Sequence, residues 1–197
     1  NYVPAPYSIY KNILKLEPGC LLSLKLEDTA SRPSLKLRAP ASEGSLRLTH
    51  WWSLHEVVEH GRASRITDEN EALVLLESQL RESIRLQLVA DVPLGSFLSG
   101  GVDSSLIVAL MQSEANTPVS TYTIGFSEAN YDEAVYARSV AKYLQTNHTE
   151  LYLSAADAQE VIPLLPTLYD EPFADSSQIP TFLVAQMAKK YVTVALS

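Results

Sequence analysis

The stretch Phe97–Leu110, FLSGGVDSSLIVAL, decides the reading of this chain. An apolar run ends in Ser99-Gly100-Gly101, an acid and two serines follow, and apolar residues then return at helical spacing. A strand that ends in a Ser/Gly turn and opens a helix is an anion site on physical grounds. Glycine lets the backbone take a positive φ and come close to a ligand. The first N–H groups of the helix lack intrahelical partners, and the helix dipole adds positive potential there. Ser99, Ser104 and Ser105 can add hydroxyl donors, so phosphate is the natural occupant.

Two common phosphate motifs are excluded. Gly95 and Gly100 have Walker-like spacing, but Gly101-Val102 follows where Lys-Ser or Lys-Thr is needed, and no Gly-x-Gly-x-x-Gly is present. Asp103 then needs an account. A carboxylate beside a polyphosphate is repulsive unless a cation lies between them, and Mg²⁺ typically takes one or two carboxylates plus phosphate oxygens. Asp103 therefore implies a metal-bridged polyphosphate, with Mg-pyrophosphate as the leaving group. The plainer reading makes Gly100-Gly101 a tight strand–helix turn and Asp103 its N-cap. A lone Ser-Gly-Gly would favour that; the longer Ser-Gly-Gly-x-Asp-Ser-Ser after a buried strand favours the functional reading.

Outward from this turn the pattern alternates. Asp68 with Glu71 resembles a capping box, and Leu73, Leu76, Leu80, Ile84 and Leu88 then share one helical face. VPLGSFL (92–98) reads as a short buried strand, Ser104–Met111 as a helix, Val119–Phe126 as a strand, Asp132–Leu144 as a helix and His148–Leu153 as a strand. Helical segments run on to about Lys190 with breaks near Pro163 and Pro166, and Val192–Leu196 is a last strand. The order from residue 68 is α-β-α-β-α-β-α-β. That alternation predicts an α/β fold, an open parallel sheet with helices on both faces. Ligands in such sheets sit beyond the C-terminal strand ends at a switch point, which makes Leu98-Ser99 and Ile124-Gly125 the candidate edges.

Residues 1–50 differ. Pro4, Pro6 and Pro18-Gly19 punctuate short apolar runs, with a turn between the strand-like SIYKNILKL (8–16) and CLLSLKL (20–26). Thr29–Ser45 has the composition of a loop or linker. The Trp51-Trp52 pair suits packing between domains better than ligand stacking.

The 197 residues suffice for one domain or parts of two, and the net charge of −8 without any basic run argues against a nucleic-acid face. The single cysteine, Cys20, excludes an internal disulfide; with no evident signal peptide it suits a reducing cytoplasm, and no apolar run is long enough to span a bilayer. The chain opens on Asn1 and closes on a strand still in progress, which reads as a fragment.

LSGGVDSS (98–105) resembles the PP-loop of the N-type ATP pyrophosphatases. Three longer stretches narrow the likeness: RLQLVADVPLGSFLSGGVDSSLIVALM (85–111), TYTIGFSEANYDEAVYARSVAKYLQTNHTELYL (121–153) and YDEPFADSSQIPTFLVAQMAKKYVTVALS (169–197). These resemble the synthetase domain of type B, glutamine-hydrolysing asparagine synthetases, and YVPAPYSIYKNILKLEPG (2–19) resembles the close of that family's N-terminal glutaminase domain. The resemblance implies residues 1–50 as the β-rich tail of an Ntn-type glutaminase domain plus linker, and 51–197 as the first part of a PP-loop, adenine nucleotide alpha hydrolase-like domain.

It further implies that ATP activates the side-chain carboxylate of aspartate as an adenylate, releasing pyrophosphate. Ammonia from glutamine then displaces AMP to give asparagine. On matching positions Ser99, Gly100, Gly101, Asp103, Ser104 and Ser105 would cradle the pyrophosphate, with Asp103 on Mg²⁺ and central to catalysis. Leu98 and Ile124 would contact adenine or ribose, and Ser197 would begin the next nucleotide loop. The partners implied are small molecules, with no nucleic acid and no membrane, and room is left for a homodimer. Cys20 matches no nucleophile position of the family and reads as a small core residue. The fragment alone should neither hydrolyse glutamine nor complete adenylation. Two alternatives stay open: amidation of another carboxylate, and a non-catalytic ATP-binding module.

Other candidates are weaker. His148 lacks a Cys or His partner at metal spacing and reads as a structural or surface histidine, and His50, His55 and His60 share no ligand spacing. Asp170-Glu171 and Asp175 read equally as a solvated capping loop or as a wall of the aspartate or ammonia site. Tyr131-Asp132-Glu133 reads as a helix start rather than a site.

Overall fold

The computed structural model describes residues 2–27, 38–126, 133–172 and 174–197. They group into two units: Asn1–Ile66 with Pro166–Asp175, and Thr67–Leu165 with Ser176–Ser197.

In the first unit, strands β1 (Cys20–Ser23), β2 (Ala41–Glu43) and β3 (Leu46–His50) form an antiparallel sheet in the order β1-β3-β2. Helix α1 (Leu54–Ala63) follows. Of the two strand-like runs read from sequence, the second carries β1, whereas residues 8–16 form turns and irregular chain. Turn chemistry wins there: Ser8 Oγ donates to the carbonyls of Tyr10 and Ile13, and Asn12 takes a φ of 65°. The linker read over 29–45 lies partly outside the described residues, and its end carries β2. Helix α1 went unread, although Ser53-x-x-Glu56 announces it: Ser53 Oγ accepts from Glu56 N at 3.4 Å. Trp51 is 72 % exposed in this chain.

The second unit is the expected α/β sheet. Helix α2 (Glu69–Gln87) leads to β4 (Leu94–Phe97), α3 (Val102–Glu114), β5 (Ser120–Phe126), α4 (Ala134–Leu144) and β6 (Asn147–Leu153). Helix α5 (Ala155–Val161) and a 3-10 turn at Ile162–Leu164 come next; the short α6 (Leu165–Leu168) runs into the first unit, and α7 (Gln178–Ala188) and β7 (Val194–Leu196) complete the second. The strands are parallel in the order β6-β5-β4-β7. Strands β5 and β6 step one way from β4, and the chain then returns to add β7 on its other side. The switch point is therefore between β4 and β7.

Alternation along the strands sorts the core onto two faces. On one face Leu98 packs with Val108, Ala137 and Ala141 of α3 and α4, and Ile84 of α2 packs with Leu110 and Met111 of α3. On the other, Tyr122 packs with Met187 and Ala188 of α7, and Leu153 with Val161 and Leu183 of α5 and α7. Asp68 caps α2 as read, its Oδ1 accepting from Glu71 N at 2.8 Å. Only the C-terminal part of the α2 stripe is used: Leu80, Ile84 and Leu88 join the core, while Leu73 and Leu76 are exposed. No helix among the described residues is long and apolar enough to cross a membrane.

Helix α4 stops at Gln145, which takes a left-handed φ of 58° while Thr146 N donates to Ala141 O at 3.1 Å. That stop aims Thr146 at β5, where its hydroxyl is hydrogen-bonded to Thr121 at 2.9 Å. Thr121 in turn bonds His148 Nδ1 at 2.9 Å. His148 Nε2 is buried without a hydrogen bond, although Glu150 Oε1 lies 3.7 Å away. Burial pushes the imidazole below its ordinary value, against the pull of Glu150 and with the help of Arg138. Arg138 donates to both oxygens of Glu150 and holds that carboxyl below the usual range. His148 is thus a neutral structural histidine, as read from sequence, and no metal-holding cluster of His, Cys, Asp and Glu occurs among the described residues.

Two predictions follow from this edge of the sheet. Replacing Gln145 by Gly removes a left-handed non-glycine residue and should stabilise the chain by about 1 kcal/mol in denaturant unfolding. Charging His148 is disfavoured in the fold, so its contribution is complete above its ordinary value of 6.5 and declines as pH falls below it. Glu150 loses its own contribution only at lower pH, as its depressed carboxyl is protonated. His148→Gln should therefore flatten the fall of the unfolding midpoint just below pH 6.5; an unchanged slope there would mean that His148 is not its source.

Candidate functional site

The turn after β4 is built by its serines. Leu98 N donates to Tyr122 O at 2.9 Å and continues the register of the sheet. The hydroxyls of Ser99 and Ser104 are 2.8 Å apart, Ser104 Oγ accepts from Ser99 N at 3.1 Å, and Ser99 Oγ accepts from Gly101 N at 3.3 Å. These bonds close the turn on itself.

Its two glycines do different work. Gly100 has a φ of +80°, and a Cβ there would lie 2.6 Å from Ala137 N and 2.7 Å from Tyr136 Cβ. It is glycine because the chain turns left-handed and presses on the first turn of α4. Gly101 has an ordinary φ of −70°, and a Cβ there would meet only Ser99 Oγ, at 3.3 Å. The space beside Gly101 is otherwise open, as a close ligand approach requires.

Helix α3 begins at Val102, two residues earlier than read, and its N-cap is Gly101, with no side-chain cap bond. Asp103 is therefore not the cap of the plainer reading. It sits exposed in the first turn, and its carboxylate makes no hydrogen bond or ion pair among the described residues. The N–H groups of Val102, Asp103 and Ser104 are the ones a helix start leaves without intrahelical partners. Ser105 Oγ is buried with no hydrogen-bond partner. An uncommitted carboxylate, free helix N–H groups and an orphaned hydroxyl around an open glycine fit a polyphosphate with Mg²⁺.

Leu98, Ser99, Ile124 and Ser197 line one cavity of about 330 Å³ beyond the C-terminal ends of β4, β5 and β7, at the switch point. Gly100, Gly101, Asp103, Ser104 and Ser105 lie along the turn and the start of α3, outside that lining. Sequence reasoning missed Phe97, Tyr122, Phe126 and Glu133, and Pro180, Thr181 and Val184 of α7. The period-2 pattern of β5 could have found Tyr122 and Phe126, which share a face with Ile124. Nothing local marks the α7 residues. Two larger hollows, of about 470 Å³ beside β7 and about 560 Å³ along β2 and β3, lie away from the turn.

Some of the other candidates have partners within the first unit. Within the first unit Glu171 pairs with Lys15 at 2.7 Å, and Tyr10 donates to the carbonyl of Asp170 at 3.4 Å. Of the acidic loop, Glu171 therefore has a holding role. Cys20 is buried and stands opposite His50 across β1 and β3, with Sγ 3.4 Å from Nδ1. Tyr131 and Asp132 lie outside the described residues, and Glu133 precedes α4 as a helix start.

Sheet order, glycine turn and switch-point cavity define an α/β domain built on a parallel sheet. The family model for asparagine synthase matches residues 75–197, and the chain belongs to that family. It is 34% identical over 197 residues to the putative asparagine synthetase [glutamine-hydrolyzing] 2 of Methanocaldococcus jannaschii, covering all of this chain and 34% of that protein. It is 28% identical over 196 residues to asparagine synthetase [glutamine-hydrolyzing] 1 of Bacillus subtilis, covering 100% of this chain and 27% of that protein. The chain thus spans about a third or less of the length of these relatives. Among solved structures, an NH3-dependent NAD synthetase from Campylobacter jejuni matches with TM-score 0.42 and 12% identity over 60% of this chain and 53% of that one.

The two glycines predict separable defects. Gly100→Ala should cost about 1–3 kcal/mol of stability, because backbone conformation and backbone contact both oppose it. Gly101→Val should leave the unfolding midpoint nearly unchanged and abolish binding of ATP measured by calorimetry. The reverse pattern would mean that the roles are misassigned.

Proposed function

We propose that this chain supplies the nucleotide-binding part of an ATP-dependent carbon–nitrogen ligase that makes asparagine from aspartate, with nitrogen from glutamine. The observation that carries the proposal is the open, partnerless Gly101–Asp103 turn, set at the switch-point cavity of an asparagine synthase family chain. In this reading residues 1–50 close a glutaminase domain of the Ntn type and residues 51–197 begin the synthetase domain. The setting is the cytoplasm.

The chemistry follows from the turn. A side-chain carboxylate oxygen of aspartate attacks the α-phosphorus of ATP, the bond to the β-phosphate breaks, and pyrophosphate leaves with the electron pair. Ammonia then attacks the acyl carbon of the β-aspartyl-adenylate, AMP leaves, and a proton is lost to give asparagine. The chain's own contribution is positional and electrostatic. Ser99, Ser104, Ser105 and the helix N–H groups hold the pyrophosphate oxygens, and Gly101 allows their approach. The strand edges at Leu98 and Ile124 hold the nucleoside, and Ser197 closes the cavity from β7. Mg²⁺ bound at Asp103 would neutralise charge growing on the leaving group. Cys20 takes no part; it is spent on the β1–β3 contact with His50.

The full-length protein that carries this chain, given Mg-ATP, aspartate and glutamine, should release pyrophosphate and asparagine in equal amounts. Asp103→Ala should lower that rate by at least about 100-fold, in the range of losing a principal electrostatic group, while leaving thermal unfolding unchanged. Pyrophosphate released only with another carboxylate would keep the mechanism and replace the substrate. Phosphate in place of pyrophosphate would refute the reading of the turn, and full turnover by Asp103→Ala would remove its metal role.

A further inference from the structure

We infer that Glu133 holds the ribose hydroxyls of the bound nucleotide and makes the site selective for a ribonucleoside triphosphate, an inference that rests on the ATP reading above. Among the described residues that line the cavity, Glu133 alone carries a charge at neutral pH. It occupies the N-cap position of α4 yet does not cap, with φ −77° and ψ −11° and no side-chain cap bond. Only its backbone carbonyl is committed, accepting from Tyr136 N and Ala137 N at 3.1 Å each. Its carboxylate makes no hydrogen bond or ion pair among the described residues. The residue is therefore not explained by the helix it precedes.

Its place limits what it can face. Gly100 presses on Tyr136 and Ala137, the residues whose N–H groups bond Glu133 O, so the start of α4 is fixed beside the phosphate turn. The rest of the lining is apolar at Phe97, Ile124, Phe126 and Val184, with hydroxyls at Ser99, Tyr122, Thr123 and Thr181. Glu133 is exposed, and a carboxylate beside a phosphate turn repels the phosphates, so the ligand groups it can hold are hydroxyl or amine donors. In a nucleoside triphosphate the donors next to the phosphates are the ribose 2′- and 3′-hydroxyls, and an acid accepting from a ribose hydroxyl recurs in α/β nucleotide sites.

The test uses the full-length protein with ATP, 2′-deoxy-ATP and 3′-deoxy-ATP, reading pyrophosphate release for wild type, Glu133→Ala and Glu133→Gln. Wild type should prefer ATP to at least one deoxy analogue by about 10–100-fold in kcat/KM, the range of a hydrogen bond to a charged acceptor. Glu133→Ala should lose activity with ATP but little with that analogue, bringing the ratio within about 3-fold. The near-isosteric Glu133→Gln should fall between, and reads the same ratio if the alanine variant folds poorly. Absence of discrimination in wild type, or full discrimination in both variants, overturns the inference. So does an unchanged ratio with a raised Mg²⁺ requirement, which would make Glu133 a metal ligand. No turnover of ATP by wild type with any carboxylate removes the ATP reading and this inference together, whereas turnover with unchanged discrimination removes only the inference.

Discussion

The contact of Gly100 with the backbone of Tyr136 and Ala137 is the constraint on which the rest of the site depends. A left-handed residue between β4 and α3 reverses the chain within two residues, and the missing side chain lets α4 close on the turn. Three consequences come from one atom's absence. The N-terminus of α3 points out at the end of β4, where its N–H groups are free. Helix α4 packs through Ala137 and Ala141 against Leu98 and Val108, small against large. The start of α4 becomes a wall of the cavity. Any larger residue at 100 would separate the turn from the helix and loosen all three together.

Sheet order supplies the remaining wall. Because β5 and β6 lie to one side of β4 and β7 to the other, no helix crosses over the ends of β4 and β7, and a crevice is left there. The same reversal sends α7 to the opposite face from α3 and α4, where Met187 and Ala188 cover Tyr122. Pro180, Thr181 and Val184 of α7 then reach the cavity that Leu98 and Ser99 enter from the other side. The site is thus assembled from both faces of the sheet, although every motif residue read from the sequence comes from the strand ends or from α3.

That division explains what the sequence could disclose. Helix and strand differ in hydrophobic period, so the alternation after Asp68, the strand VPLGSFL and the glycine turn were legible. Strand neighbours leave no such mark: β7 has the same apolar character whether it joins β4 or β6, so the order of the sheet was not readable. The contribution of α7 followed it out of reach. Short polar strands also escaped. ASE and LRLTH at β2 and β3 carry little β signal, and they pair because β3 is held on both sides, by β1 and β2. At residues 8–16 the opposite error occurred, since apolar alternation predicts a strand while Ser8 and the left-handed Asn12 commit the backbone to turns.

Electrostatics then decides how such a site can work. The chain carries a net charge of −8, so its long-range field disfavours a polyanion. Binding must rest on groups that act at contact, because charges beyond about 8–10 Å are screened at physiological ionic strength. Free N–H groups at the start of α3 and hydroxyls within one turn meet that need, since they are fixed by the fold and require no reorganisation. Asp103 stands in the same helix turn, where a bare polyphosphate would be repelled by it. The local field is therefore selective in sign and in state: an anion accompanied by a divalent cation gains from Asp103 what an unaccompanied anion loses. On the proposed function such a turn would favour the metal-bound nucleotide over the free one, without any basic side chain among the described residues of the cavity lining.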